Sequence, residues 1–325
     1  MKTLLFLAAL ALSPAEGQVT SLINPLTVDR VGKAETFFGR GQYSEALDVA
    51  QAALEGKLTW GRQARAYWLL GKSHEALGSL DKALSVYQVA VKLYPRDPGL
   101  LVALGDLFRK VGLDDRAMPQ YQAALKADPD NATAHTALGG ILTEQGLFPA
   151  ATPHFKAALS RKPKDLDAML GLGRSLAGEG KLEEAEATLG AGLKAGGDVD
   201  MRVGLAEVLK RRGKGPEAIE QLRLASLETK RADVRLRYAA WLLSAGRVEE
   251  GAGVLRLHIQ EAPEDALARY LLGLEELRGG QKAFALKGFQ AAADQDQSPF
   301  LREIARATLN LSSPHPGRGQ GEGIK

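Results

Sequence analysis

Residues 98–131 read PGLLVALGDLFRKVGLDDRAMPQYQAALKADPDN, and the stretch is one turn of a repeat. Gly71, Gly105, Gly139 and Gly173 stand 34 residues apart, as do Gly78, Gly112, Gly146 and Gly180. Ala83, Ala117, Ala151 and Ala185 keep the step, with Tyr87, Tyr121, Phe155 and Leu189. Pro95, Pro129 and Pro163 close successive units. A fixed period carrying two apolar helical patterns per unit predicts a helical solenoid.

The physics of one unit is legible in residues 64–97. Tyr67, Leu70, Gly71 and His74 share one face of a first helix. Gly78 ends it, because glycine readily takes the left-handed conformation after a helix. Asp81 and Lys82 open a second helix that buries Ala83, Tyr87, Ala90 and Val91, and Pro95 stops it. Small Gly71 and Ala83 are expected to let the two helices approach, with Leu70 and Tyr87 filling the space around them. Two short helices bury too little apolar surface alone, so units must stack.

In period and pattern the chain resembles the tetratricopeptide repeat family. The resemblance implies an all-α, right-handed superhelical solenoid of about eight helix-turn-helix units. It covers residues 27–299, as units 27–60, 64–97, 98–131, 132–165, 166–198, 199–231, 232–265 and 266–299. The first unit is degenerate: Phe37, Phe38, Gly41, Tyr43, Ala46 and Ala53 fit, but Ala34 replaces the first glycine. Extra residues, Trp60 among them, separate it from the second. A capping helix is expected over 299–311 and a disordered tail over 312–325, which is rich in Pro, Gly and Ser.

Units five to seven depart furthest. Gly192 stands for an alanine, Gly197 for the exit proline and Gly251 for a packing alanine. Glycine weakens a helix interior. Unit five also carries Gly171, Gly178 and Gly190, so it is expected to be the soft point, with residues 171–197 exchanging amide hydrogens faster than 105–131.

Residues 1–17 look like a secretory signal: basic Lys2, an apolar run from Leu4 to Leu12, and small Ser13-Pro14-Ala15 with cleavage after Ala15 or Gly17. Residues 18–26 form a leader. An uncleaved anchor is the alternative, but the run is short against the ~20 residues of a spanning helix. Periplasmic or secreted location follows as an expectation. There is no cysteine, which removes disulfides and thiolate ligands.

Chemistry is sparse. The five histidines are His74, His135, His154, His258 and His315; His74 and His258 are expected to be buried structural residues, and His135 and His154 to lie within reach of each other. No metal or other cofactor is expected. No Gly-x-x-x-x-Gly-Lys-Ser/Thr loop or Gly-x-Ser-x-Gly elbow occurs. Acidic pairs Glu183–Glu184 and Glu249–Glu250 open second helices, where they complement the helix dipole. The net charge is only +3, and acidic and basic residues alternate, which opposes nucleic-acid binding. The one basic cluster, Lys210-Arg211-Arg212-Gly213-Lys214, falls at a turn, and an acidic partner is the alternative to simple solvation.

The resemblance implies a non-catalytic scaffold whose first helices line a concave groove and hold protein or peptide partners. Residues expected there are Arg65, Trp68, Lys72, Arg109 and Arg174 at one end, and Leu236, Leu243, Tyr270 and Leu274 at the other. The family's carboxylate clamp of paired Lys and Asn is absent. Leu274 and Leu277 have an alternative role, packing under the capping helix. Assembly of a secretion, envelope or export complex is the expected task. A substrate-presenting subunit of a modifying enzyme complex is the alternative. RNA binding is a third possibility that the charge opposes.

Overall fold

The computed structural model describes residues 25–295 and 299–312. The expected export signal, nearly all of the leader, the tail from 313 and His315 lie outside the described residues. Among the described residues there are seventeen α-helices and no strand. The chain divides into two compact bodies, residues 1–179 and 180–325.

The first body holds α1 (Pro25–Gly39), α2 (Tyr43–Leu54), α3 (Trp60–Ala76), α4 (Leu80–Leu93), α5 (Pro98–Lys110), α6 (Asp114–Ala127), α7 (Ala132–Glu144), α8 (Phe148–Arg161) and α9 (Leu166–Gly178). Each helix packs on the next, and first helices α1, α3, α5, α7 and α9 also touch in sequence. The turn glycines have positive φ, +73° at Gly78 and +76° at Gly112, which any side chain would strain. Asp97, Asn131 and Asp165 cap the first helices, each accepting from a backbone N–H three residues on. Trp60–Gln63, expected between units, form an extra first turn of α3 instead. Trp60 and Tyr94 hold that turn, with rings 5.8 Å apart and the Tyr94 hydroxyl donating to Gln63 at 2.5 Å.

First helices are buried on two sides. In α3, Tyr67, Leu70 and Gly71 face α4, while Ala66 and Leu69 join Val31, Ala34, Ala50 and Ala53 of the preceding unit. The two-sided burial is what stacking requires of a helix in the middle of an array.

Gly71 and Gly105 are small where the expected space-filling aromatic residue of the second helix lies over them. A Cβ at Gly105 would lie 2.7 Å from the ring of Tyr121, and one at Gly71 would run into the ring of Tyr87. The second helix's aromatic side chain fills the glycine's space. Tyr87, Tyr121 and Phe155 are almost wholly buried. Burying such a side chain stabilises by roughly 1.5–3 kcal/mol.

The second body holds α10 (Leu182–Lys194), α11 (Val199–Arg211), α12 (Gly215–Glu228), α13 (Ala232–Ser244), α14 (Val248–Glu261), α15 (Ala266–Arg278), α16 (Lys282–Gln295) and α17 (Pro299–Ser312). Neighbours again pack in order, and α17 lies against both α16 and α15. The expected capping helix is therefore present, one residue longer than its expected 299–311 span.

Candidate partner-binding site

The buried tyrosines dictate much of the first-helix face. A buried hydroxyl needs an acceptor. Tyr87 donates to Glu75 at 2.6 Å, and Tyr121 to Asp106 at 2.9 Å. Burial, then the neighbouring carboxylate, pushes both phenols up from their usual range. Burial also raises the Asp106 carboxyl, against the opposing pull of Tyr121 and Lys72. The carboxylates in turn draw in cations. Lys72 sits 3.1 Å from Glu75 and 3.9 Å from Asp106 of the next unit.

Ion pairs step along the same face. Arg65 pairs with Glu35 at 2.6 Å and lies 4.3 Å over the Trp68 ring. Arg109 pairs with Glu144 at 2.6 Å and with Asp114 at 3.8 Å. Trp68 is half-buried and meets Phe38 edge-on at 5.8 Å. Four of the five expected N-terminal residues are thus brought into one run, and all four are already engaged by the protein itself.

Unit four breaks the run. Its aromatic residue is Phe155, which has no hydroxyl and needs no carboxylate. Gly140 and Thr143 stand where the earlier units carry Lys72 or Asp106, and Glu75 or Arg109. A trough of about 530 Å³ opens there. Its floor is Thr136, Ala137, Gly140, Leu170 and Gly171 over the Phe155 ring. Thr133, Lys162, Asp165 and Asp167 line one end, and Arg109, Glu144 and Arg174 the other. Most of these groups are committed. Arg109 holds Glu144, Asp165 caps α9, and Lys162 donates to Thr133 at 3.3 Å. Arg174 is exposed and has no carboxylate partner among the described residues. The Thr136 hydroxyl oxygen is buried without a hydrogen-bond partner. Of these lining residues, Arg109 and Arg174 are among the expected partner-binding residues. Gly140 was hidden beside the periodic Gly139.

The C-terminal candidates are largely consumed by packing. Leu236 and Leu243 lie against a cluster built on Ala239, Leu255 and Ala268. Leu243 also fills the space over Gly251, where a Cβ would come within 2.7 Å of it. Tyr270 packs with Ala266, Ala292 and Ala293 and with Ala305 of the capping helix, faces Phe289 at 5.5 Å, and has Thr308 at 3.4 Å from its hydroxyl. Leu274 is half-buried.

The basic turn is internally compensated. Arg212 pairs with Glu183 at 3.0 Å and with Glu186, Lys214 reaches Glu186 at 2.8 Å, and Lys210 sits 4.1 Å over Trp241. His258 is buried, as expected, with Nε2 2.8 Å from Asp265. His74 is only half-buried, and burial, then Lys82, lowers its pKa. His135 and His154 do meet, with Nδ1 atoms 2.9 Å apart. Among the described residues no cluster of three or more His, Cys, Asp or Glu residues forms a metal site. No helix of the described residues is long and apolar enough to cross a membrane.

Two family models, each described as Tetratricopeptide repeat, match the chain: one over residues 31–98 and 102–166, the other over 142–200. Among curated proteins, BBSome complex member BBS4 of Mus musculus is 36% identical over 66 residues, 20% of this chain and 13% of that protein. A tetratricopeptide repeat protein from Parabacteroides merdae superposes with a TM-score of 0.51 at 18% identity, covering 88% of this chain and 98% of that one. PilF of Pseudomonas aeruginosa gives 0.53 at 19% identity, over 62% of this chain and 92% of that one. A chain of the APC/C hetero-tetramer Cut9–Hcn1 gives 0.57 at 16% identity, over 96% of this chain and 58% of that one. At these identities the structural likenesses speak to fold.

Proposed function

The chain belongs to the tetratricopeptide repeat family, and from that premise we propose that it is a non-catalytic scaffold holding segments of partner proteins on the first-helix face of its N-terminal body. The observation that carries the proposal is the contrast along that face. Units two and three close it with their own ion pairs, and unit four opens it into a trough with an uncompensated arginine at one end. Proteins of this family bind protein partners. The apolar C-terminal candidates are given a lesser part, because Tyr270 and Leu243 are already packed.

We further place this scaffold outside the cytosol, in the periplasm or beyond, within an envelope, secretion or export assembly. Lys2, the Leu4–Leu12 run and Ser13-Pro14-Ala15 support export. N-terminal sequencing of protein taken from its native host tests the export step. A new N-terminus near Glu16 or Gln18 is expected, and an intact Met1 on cytosolic protein would overturn it. Affinity capture by the mature protein from an envelope fraction, with Gly140→Leu as the matched control, tests the scaffold role. Partners that wild type retains and the variant loses are expected. Identical recoveries would place the binding elsewhere.

A further inference from the structure

The trough of units four and five has a center that local packing does not explain. Gly139 and Gly140 are adjacent in α7 and differ in what surrounds them. At Gly139 a Cβ would come 3.0 Å from the Phe155 ring, so the residue is small because the aromatic ring lies over it. At Gly140 a Cβ would meet only Arg109 Nη1, at 3.3 Å, the far end of a flexible side chain. The equivalent position carries Lys72, Asp106 and Arg174 in the neighbouring units, so a long side chain is accommodated there. Glycine in a helix interior is destabilising relative to alanine. Gly140 bears that cost without a turn, a positive φ or a close backbone approach to require it. What it provides is a low point in the trough floor, over which only the Arg109 guanidinium reaches.

Building on the scaffold role above, we propose that this trough takes an extended segment of a partner protein whose carboxylate side chain pairs with Arg174. The lining of α7 from Thr133 to Glu144 spans roughly 16 Å along the helix axis, the length of about five extended residues. Charge sets the direction. At the turn-side end, Glu144 is taken by Arg109, which leaves Arg174 to receive an anion. At the other end, Asp165 is engaged with the N-terminus of α9 and Lys162 with Thr133. In the center, the Thr136 side chain lines the trough, with its hydroxyl oxygen buried and unpartnered.

The test uses the full chain and two matched sets of short peptides with both ends blocked. One set carries a central Asp or Glu, and the other carries Asn or Gln instead. Blocked ends ensure that any carboxylate recognised belongs to a side chain. The acidic set should bind about ten-fold more tightly, the size of a charge-assisted hydrogen bond. Gly140→Leu should abolish binding with no loss of thermal stability, which separates a filled trough from a misfolded protein. Arg174→Glu should remove the acidic preference. Equal binding of the two sets by wild type would overturn recognition of a carboxylate. A preference that survives both substitutions would overturn this trough as the site and leave the wider scaffold role standing. Failure of wild type to bind either set would overturn both.

Discussion

Gly105 and Gly140 both sit inside first helices, and substitution should move stability in opposite directions. A methyl at Gly105 meets the Tyr121 ring at 2.7 Å. Gly105→Ala should therefore destabilise by about 1–3 kcal/mol, the usual cost of overpacking. Gly140→Ala should stabilise by up to ~0.8–1 kcal/mol, the helix-propensity difference. Thermal or urea unfolding of the two variants checks both signs. The period made Gly105 legible but not its cause, since a repeat shows which positions must be small without showing which atom fills the space. Gly140 was illegible because its repeat equivalents, Lys72, Asp106 and Arg174, are not glycine. The histidine pair makes a second prediction at this scale. The Pro129 carbonyl can only accept, so His135 donates to it from Nε2 at 3.0 Å. His135 Nδ1 is then a lone pair, and His154 donates to it from Nδ1. Burial, then the charge of His135, lowers the His154 pKa. With the folded pKa below the unfolded one, the unfolded chain binds more protons in the window between them. Stability is full above that window and falls as pH drops through it. His154→Gln should shrink the loss of melting temperature between neutral pH and about pH 5; part of the loss will remain through His74, which is shifted the same way. An unchanged loss would show that His154 does not carry it.

The helices were legible where punctuation and periodicity agree, and the exceptions have physical causes. Each turn glycine from Gly41 to Gly280 ends its helix at positive φ, as its spacing implied. Pro119 and Pro153 lie inside second helices, α6 and α8, where the general rule against interior proline gives no sign of them. Whether Leu274 and Leu277 face a groove or pack under the capping helix was left open, because amphipathicity does not say what lies opposite. The structure sets α17 against Tyr270. Helix α10 carries the clearest prediction at this scale. Gly190 meets nothing within 4 Å of a would-be Cβ, and Gly196 exits the helix at φ +102°. The equivalent second helix α4 has neither glycine nor proline. Amides of Leu182–Lys194 should exchange faster than those of Leu80–Leu93, because local opening follows local stability. Equal protection would show that tertiary packing of α10 offsets its glycines.

For the whole molecule, fold class and repeat register were legible because 34-residue self-similarity is written directly into the chain. The binding face was legible only in outline. Periodicity names the residues on the first-helix face, but their ion pairs depend on the offset between stacked units, which one unit's sequence does not encode. Trp68 illustrates the consequence. It was expected as a contact for partners, yet it packs against Phe38 and beneath Arg65. Trp68→Ala should therefore lower stability as well as any affinity, and a binding loss in that variant counts only if its melting temperature is matched. Site-specific photo-crosslinking in the native host tests the central claim most directly. One probe would replace Thr136 in the trough, and the other Lys156, exposed on second helix α8. The scaffold role on the first-helix face predicts a partner crosslinked from position 136 and not from position 156. Crosslinks from position 156 alone would contradict it.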